Sequence, residues 1–152
     1  MATLHYITSA DLVQRYGEDQ VLTLADEERT DDIASPSVVL RIERAIEGAE
    51  GEVNGYVSRR YDVPVISVPL PRQLVDIVID VTMWKLCRGP TQEDDGLRMR
   101  YKDARKTLEG IASGTISLGI PDPDAGGGNF VTTTGIATAD RERAKKNLDQ
   151  IF

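Results

Sequence analysis

The sequence holds one cysteine, Cys87, and one histidine, His5. A lone cysteine closes no internal disulfide, so nothing points to an oxidising compartment. The pair also excludes zinc sites built from several Cys and His ligands. Five tyrosines, two phenylalanines and one tryptophan are too few for a base-stacking platform. Basic residues are outnumbered: 18 Lys and Arg face 25 Asp and Glu, for a net charge of −7. A protein that grips a nucleic-acid backbone shows the opposite balance. Long apolar runs are missing too. The densest, Leu74 to Cys87, is broken by Asp76, Asp80 and Lys85, and is too short and too polar to span a bilayer. Met1 to Gly17 has neither the basic nor the apolar region of a secretory signal. The expectation is a soluble intracellular protein with no membrane partner, its 152 residues enough for one core.

What is present reads as helices. Thr8 with Asp11 forms a near capping box, Leu12, Val13 and Tyr16 give an apolar side, and Gly17 suits a C′ position. From Gly17 to Ala34 the acids Glu18, Asp19, Asp26, Glu27, Glu28, Asp31 and Asp32 face only Arg29. Leu22 and Leu24 pin part of this stretch to the core, and the rest reads as an exposed loop. Ser35-Pro36 starts a long helix, a hydroxyl cap followed by proline at N1. Its seam is Val39, Ile42, Ile46, Ala49, Val53 and Tyr56, and it ends near Arg60. Gly48, Gly51 and Gly55 line an adjacent stripe. Each glycine costs roughly 1 kcal/mol against alanine, so the stripe is either a place of close approach by another backbone or a tolerated exposed face.

Prolines forbid a helix from Tyr61 to Pro71, which reads as a stiff connector lying on the core. Residues Arg72 to Arg88 carry apolar side chains around most of a helix, with Gln73, Asp76 and Asp80 as one thin solvated stripe. Thr91 is the expected cap of the next helix, whose seam is Leu97, Tyr101, Ala104, Leu108 and Ile111. Arg98, Arg100, Lys102, Arg105 and Lys106 lie outside that seam, and Gly114 ends the helix. After Gly119 comes a glycine-rich linker, then a tail in which Leu148, Ile151 and Phe152 offer a small apolar anchor. The predicted fold is all-α: a small bundle of about four helices with extended connectors and a flexible C-terminal tail. Residues 1–118 form the body and 119–152 the linker and assembly tail.

No catalytic constellation emerges. A lone histidine is far more often structural than catalytic, and Cys87 lies on a helix expected to be buried, where a thiol behaves as a small hydrophobe. The acids of residues 17–34 lack the spacing of an EF-hand loop. Gly126-Gly127-Gly128 lacks the Lys-Ser/Thr of a phosphate loop. We therefore expect no enzyme, no cofactor and no metal. The acidic stretch and the basic helix are opposite in charge, and can pair within a subunit or between neighbours arranged head to tail.

Several segments, in order, resemble the Mu-like prophage head–tail connector (neck) proteins. They are Tyr6-Ile7-Thr8 with Asp11-Leu12 and Arg15-Tyr16-Gly17, Ala45-Ile46-Glu47 with Ala49, and Tyr56-Val57 with Arg59-Arg60-Tyr61-Asp62-Val63-Pro64. The likeness resumes at Arg100-Tyr101-Lys102-Asp103-Ala104, Leu108, Ile111-Ala112-Ser113-Gly114 and Ser117-Leu118. The resemblance implies a helical adaptor that completes the head of a tailed bacteriophage. Such an adaptor forms a ring of about twelve copies of itself beneath the portal protein. It extends the DNA channel, with DNA only as passing cargo, and docks the next neck or tail-completion protein. Its place would be the neck of the virion, and the host cytoplasm during assembly. No catalytic residues come with the resemblance. The alternative of a different class is a free-standing helical interaction or regulatory module of a prophage.

Overall fold

A computed structural model of the chain describes residues 4–87 and 94–123. Within them lie five helices: α1 (Ser9–Tyr16), α2 (Glu18–Ala25), α3 (Pro36–Val57), α4 (Arg72–Leu86) and α5 (Asp95–Ser113). No strand occurs among the described residues, so the chain is all-α as expected, with one helix more than the sequence suggested.

The extra helix is α2, which replaces much of the expected loop. Val21, Leu24 and Ala25 are buried at spacings of three and one, a single apolar stripe. Glu18 and Asp19 fall in its first turn, where the helix dipole favours acids. The charge that suggested exposure is therefore a helix-start signal. Gly17 joins α1 to α2 at φ 86°, a conformation side chains resist. Upstream, the Asp11 carboxylate accepts from the Thr8 backbone N–H at 2.7 Å, as the capping reading required.

Helix α4 is the central element and packs against the other four helices. Leu74, Ile77, Val78, Ile79, Val81, Met83 and Leu86 are buried along it. Thr82, also buried, donates to the Val78 carbonyl at 2.7 Å. On α3 the buried line runs Val38, Ile42, Ala45, Ile46, Ala49, Val53 and Val57. The expected seam fails at both ends: Val39 is exposed and Tyr56 only half-buried. A straight helix of 3.6 residues per turn drifts off a 3.5-residue seam, and over 22 residues the drift displaces the terminal positions. The helix stops at Val57, short of Arg60, and the Ser35 hydroxyl bonds Ser37 at 3.2 Å rather than capping the helix backbone.

The α5 cap is Asp94, which accepts from the Gly96 N–H, and not Thr91, which lies outside the described residues. A carboxylate next to the first turn caps at least as well as a hydroxyl three residues upstream. The α5 seam forms as expected, with Leu97, Ala104, Leu108 and Ile111 buried and Tyr101 half-buried. Gly114 ends it at φ 80°, under the Arg60 guanidinium.

Candidate assembly surfaces

Tyr6 ties three parts of the body together. Its backbone N–H donates to Glu50 at 2.6 Å, its hydroxyl donates to Asn54 at 2.7 Å, and that oxygen accepts from the Val65 N–H at 2.8 Å. Burial raises the Tyr6 hydroxyl above its usual pKa. His5 completes the group, with Nδ1 2.8 Å from the same Glu50 carboxylate. Asp76 and Asp80 are not a merely solvated stripe. Arg15 reaches Asp76 at 2.8 Å, and the Tyr16 hydroxyl donates to Asp80 at 2.8 Å. Burial and the Asp80 carboxylate push that hydroxyl up to about 12. Among the described residues no cluster of three His, Cys, Asp or Glu could hold a metal ion.

The acidic stretch occupies one end of α3. Glu27 pairs with Arg41, which also donates to the Leu86 carbonyl at 3.1 Å. Asp26 accepts from the Asp31 N–H at 2.8 Å and Asp32 from the Ala34 N–H at 2.9 Å, so two of these acids shape the loop that carries them. Backbone N–H donation from Thr30, aided by that from Asp31, holds Asp26 below the usual carboxylate range. Glu18, Asp19, Glu28 and Asp31 are exposed.

The basic residues of α5 turn to other partners. Arg98 pairs with Asp95 at 2.6 Å, and Arg100 lies over the Tyr16 ring at 5.2 Å. Arg105 donates to the Tyr56 hydroxyl at 3.3 Å, near the C-terminal end of α3, and lies 3.9 Å from Glu109. Lys102 and Lys106 are exposed. Helices α2 and α5 do not touch. Glu27 pairs with Arg41 and Arg98 with Asp95, while Arg100, over Tyr16, brings the start of α5 close to the start of the acidic stretch.

The glycine stripe has one neighbour. A methyl group at Gly48 would meet the Lys85 side chain at 3.3 Å, whereas Gly51 and Gly55 face open space. Lys85 is held there by Glu52 at 2.9 Å, and Glu52 also accepts from Tyr101 at 2.8 Å. Tyr101 in turn stacks on Trp84, ring centres 5.1 Å apart. The anchor residues Leu148, Ile151 and Phe152 lie outside the described residues. Before them the chain is still held to the body: Ile120 packs on the core and Asp122 takes the Arg60 guanidinium, with Nε at 2.9 Å.

The connector departs most from expectation. Val65 and Tyr61 are buried, but Val63 is exposed, Ile66 is 82% exposed and Val68 is 97% exposed. An extended chain can turn only part of its side chains inward, and Val65 takes that role here. The signal was present in the sequence: branched apolar residues bracketed by prolines, which no helix can hide. Elsewhere, an apolar groove of about 230 Å³ opens beside the N-terminal half of α3, lined by Ile7, Ile33, Val39, Ile42 and Ile46 with His5 and Glu43.

Comparison with known proteins decides the family. The family model described as Bacteriophage Mu, Gp36 matches residues 6–132. The chain belongs to this family. A relative is the Mu-like prophage FluMu protein gp36 of Haemophilus influenzae, 27% identical over 124 residues, which cover 78% of this chain and 79% of the relative. The family's match begins at Tyr6, the residue that binds α3 to the connector, and runs through all five helices. It is thus a Mu-like phage protein, and among its described residues no helix is long and apolar enough to cross a membrane.

Proposed function

We propose that this Mu-family protein is a head-completion adaptor, a head–tail connector that forms a ring beneath the portal, extends the DNA channel and docks the next neck or tail protein. The observation that carries the reading is the distance between the acidic loop at Glu27 and the part of α5 around Arg105. Arg41, which holds Glu27, and Tyr56, which holds Arg105, stand fifteen residues apart on α3. At the helical rise that is about 22 Å. Faces of opposite sign at separate places on one rigid body favour head-to-tail contact, the kind that closes into rings. Family membership supports a phage role, and the neck is what the sequence resemblance implies.

The reading makes a direct genetic demand. Phage lacking the protein should accumulate DNA-filled heads and complete tails that stay apart, and supplying the protein should join them. Normally joined particles without it would refute the role. A small dimer that regulates the prophage, the competing module, would change the expression of phage genes and leave the junction intact.

A further inference from the structure

The exposed side chains of Ile66 and Val68 project from the connector, with Val63 beside them. Among the described residues Val65 and Tyr61 anchor the segment, and Ile66 touches only the rim of a hollow that it shares with Ile120 and Pro121. Apolar groups displayed this openly on a short, proline-stiffened segment mark a contact surface. The same molecule carries a complementary feature, the groove lined by Ile7, Ile33, Val39, Ile42 and Ile46. In this chain Ile66 and Val68 do not fill that groove, since both side chains are exposed.

Charge matches the same pairing. Glu43 lines the groove, and exposed Asp31 and Asp32 adjoin Ile33 in sequence. Exposed Arg59 and Arg72 flank the projection in sequence, Arg72 also lying 3.5 Å from Asp76, against one exposed acid, Asp62. We propose that the Ile66–Val68 projection of one copy seats in the groove of a second copy of this chain. This inference rests on the ring reading above and supplies its contact. Each union leaves one groove and one projection open, so the contact propagates until it closes.

Three full-length proteins test it by sedimentation velocity and native mass spectrometry: wild type, Val68→Asp and Val39→Glu. Both substituted residues are exposed, so the fold should persist, and circular dichroism checks it. Wild type should self-associate with rising concentration, and each variant should do so at least about tenfold more weakly. The mixture of the two variants decides the geometry. Each retains one working face, so the mixture should give a 1:1 heterodimer that grows no further. Variants that associate as well as wild type, or a mixture that stays monomeric, would overturn the contact while leaving the ring reading to other surfaces. Loss of binding to the portal protein with self-association unchanged would assign the projection to that partner and overturn the proposal. Wild type that is monomeric at every concentration and also on the portal would overturn the proposal and the ring reading together.

Discussion

Glu50 shows how one carboxylate can fix the start of the chain. It is only 8% exposed, and both of its oxygens are engaged, one by the Tyr6 N–H and the other by His5. Glu50→Ala would leave a buried N–H without an acceptor, a loss of about 1–3 kcal/mol. Glu50→Gln keeps an acceptor for that N–H and should lose less. Urea denaturation of both variants checks the order. Tyr16 gives a prediction in pH. Its hydroxyl, neutral in the fold up to about 12, starts from an ordinary value of 10.0, so the folded state holds its proton longer than the unfolded state. That contribution is complete below pH 10 and is lost as pH rises towards 12. Stability measured across this window should fall less steeply in Tyr16→Phe than in wild type. Glu52 has the opposite sign. Burial alone would raise it, but Lys85 and Tyr101 outweigh that and hold it below its usual 4.5, so its contribution is lost on acidification.

At the scale of elements, α2 separates two accounts of residues 17–34. Val21 is fully buried against the core, so Val21→Ala should cost about 1–3 kcal/mol in a denaturant titration. A side chain in an exposed loop would cost under about 0.5 kcal/mol. Gly51 and Gly55 sit inside α3 facing open space, so alanine at either should stabilise the isolated chain by about 0.5–1 kcal/mol. The seams of α4 and α5 were legible because apolar spacing reports burial directly when one face meets one core. Acid-rich α2 reads as a loop when charge is weighed without position, whereas Glu18 and Asp19 belong to a helix start. The exposure of the connector is hidden in the sequence because apolar content ordinarily means burial. For Ile66 and Val68 it does not, since burial depends on which direction a proline-locked chain can turn its side chains. The pairing of Arg15 with Asp76 joins residues 61 positions apart and left no local trace in the sequence.

The whole molecule carries its net −7 unevenly, with acids concentrated in residues 17–34 and a row of bases on α5. If neighbouring copies bring these exposed faces together, added salt should weaken the assembly, because a Debye length falls from about 10 Å at 0.1 M to about 3 Å at 1 M. An assembly held by apolar contact alone would respond little. Removing residues 140–152, which carry Leu148, Ile151 and Phe152, should leave the helical body folded and abolish docking in the particle. The central claim is that this body works as a ring on the portal. Its most direct measurement is co-expression with the portal protein of the same phage, affinity purification through the portal, and electron microscopy of the product. The account predicts a ring of this chain stacked on the portal and sharing its axis. A portal that purifies alone, beside a small closed dimer of this chain, would contradict it.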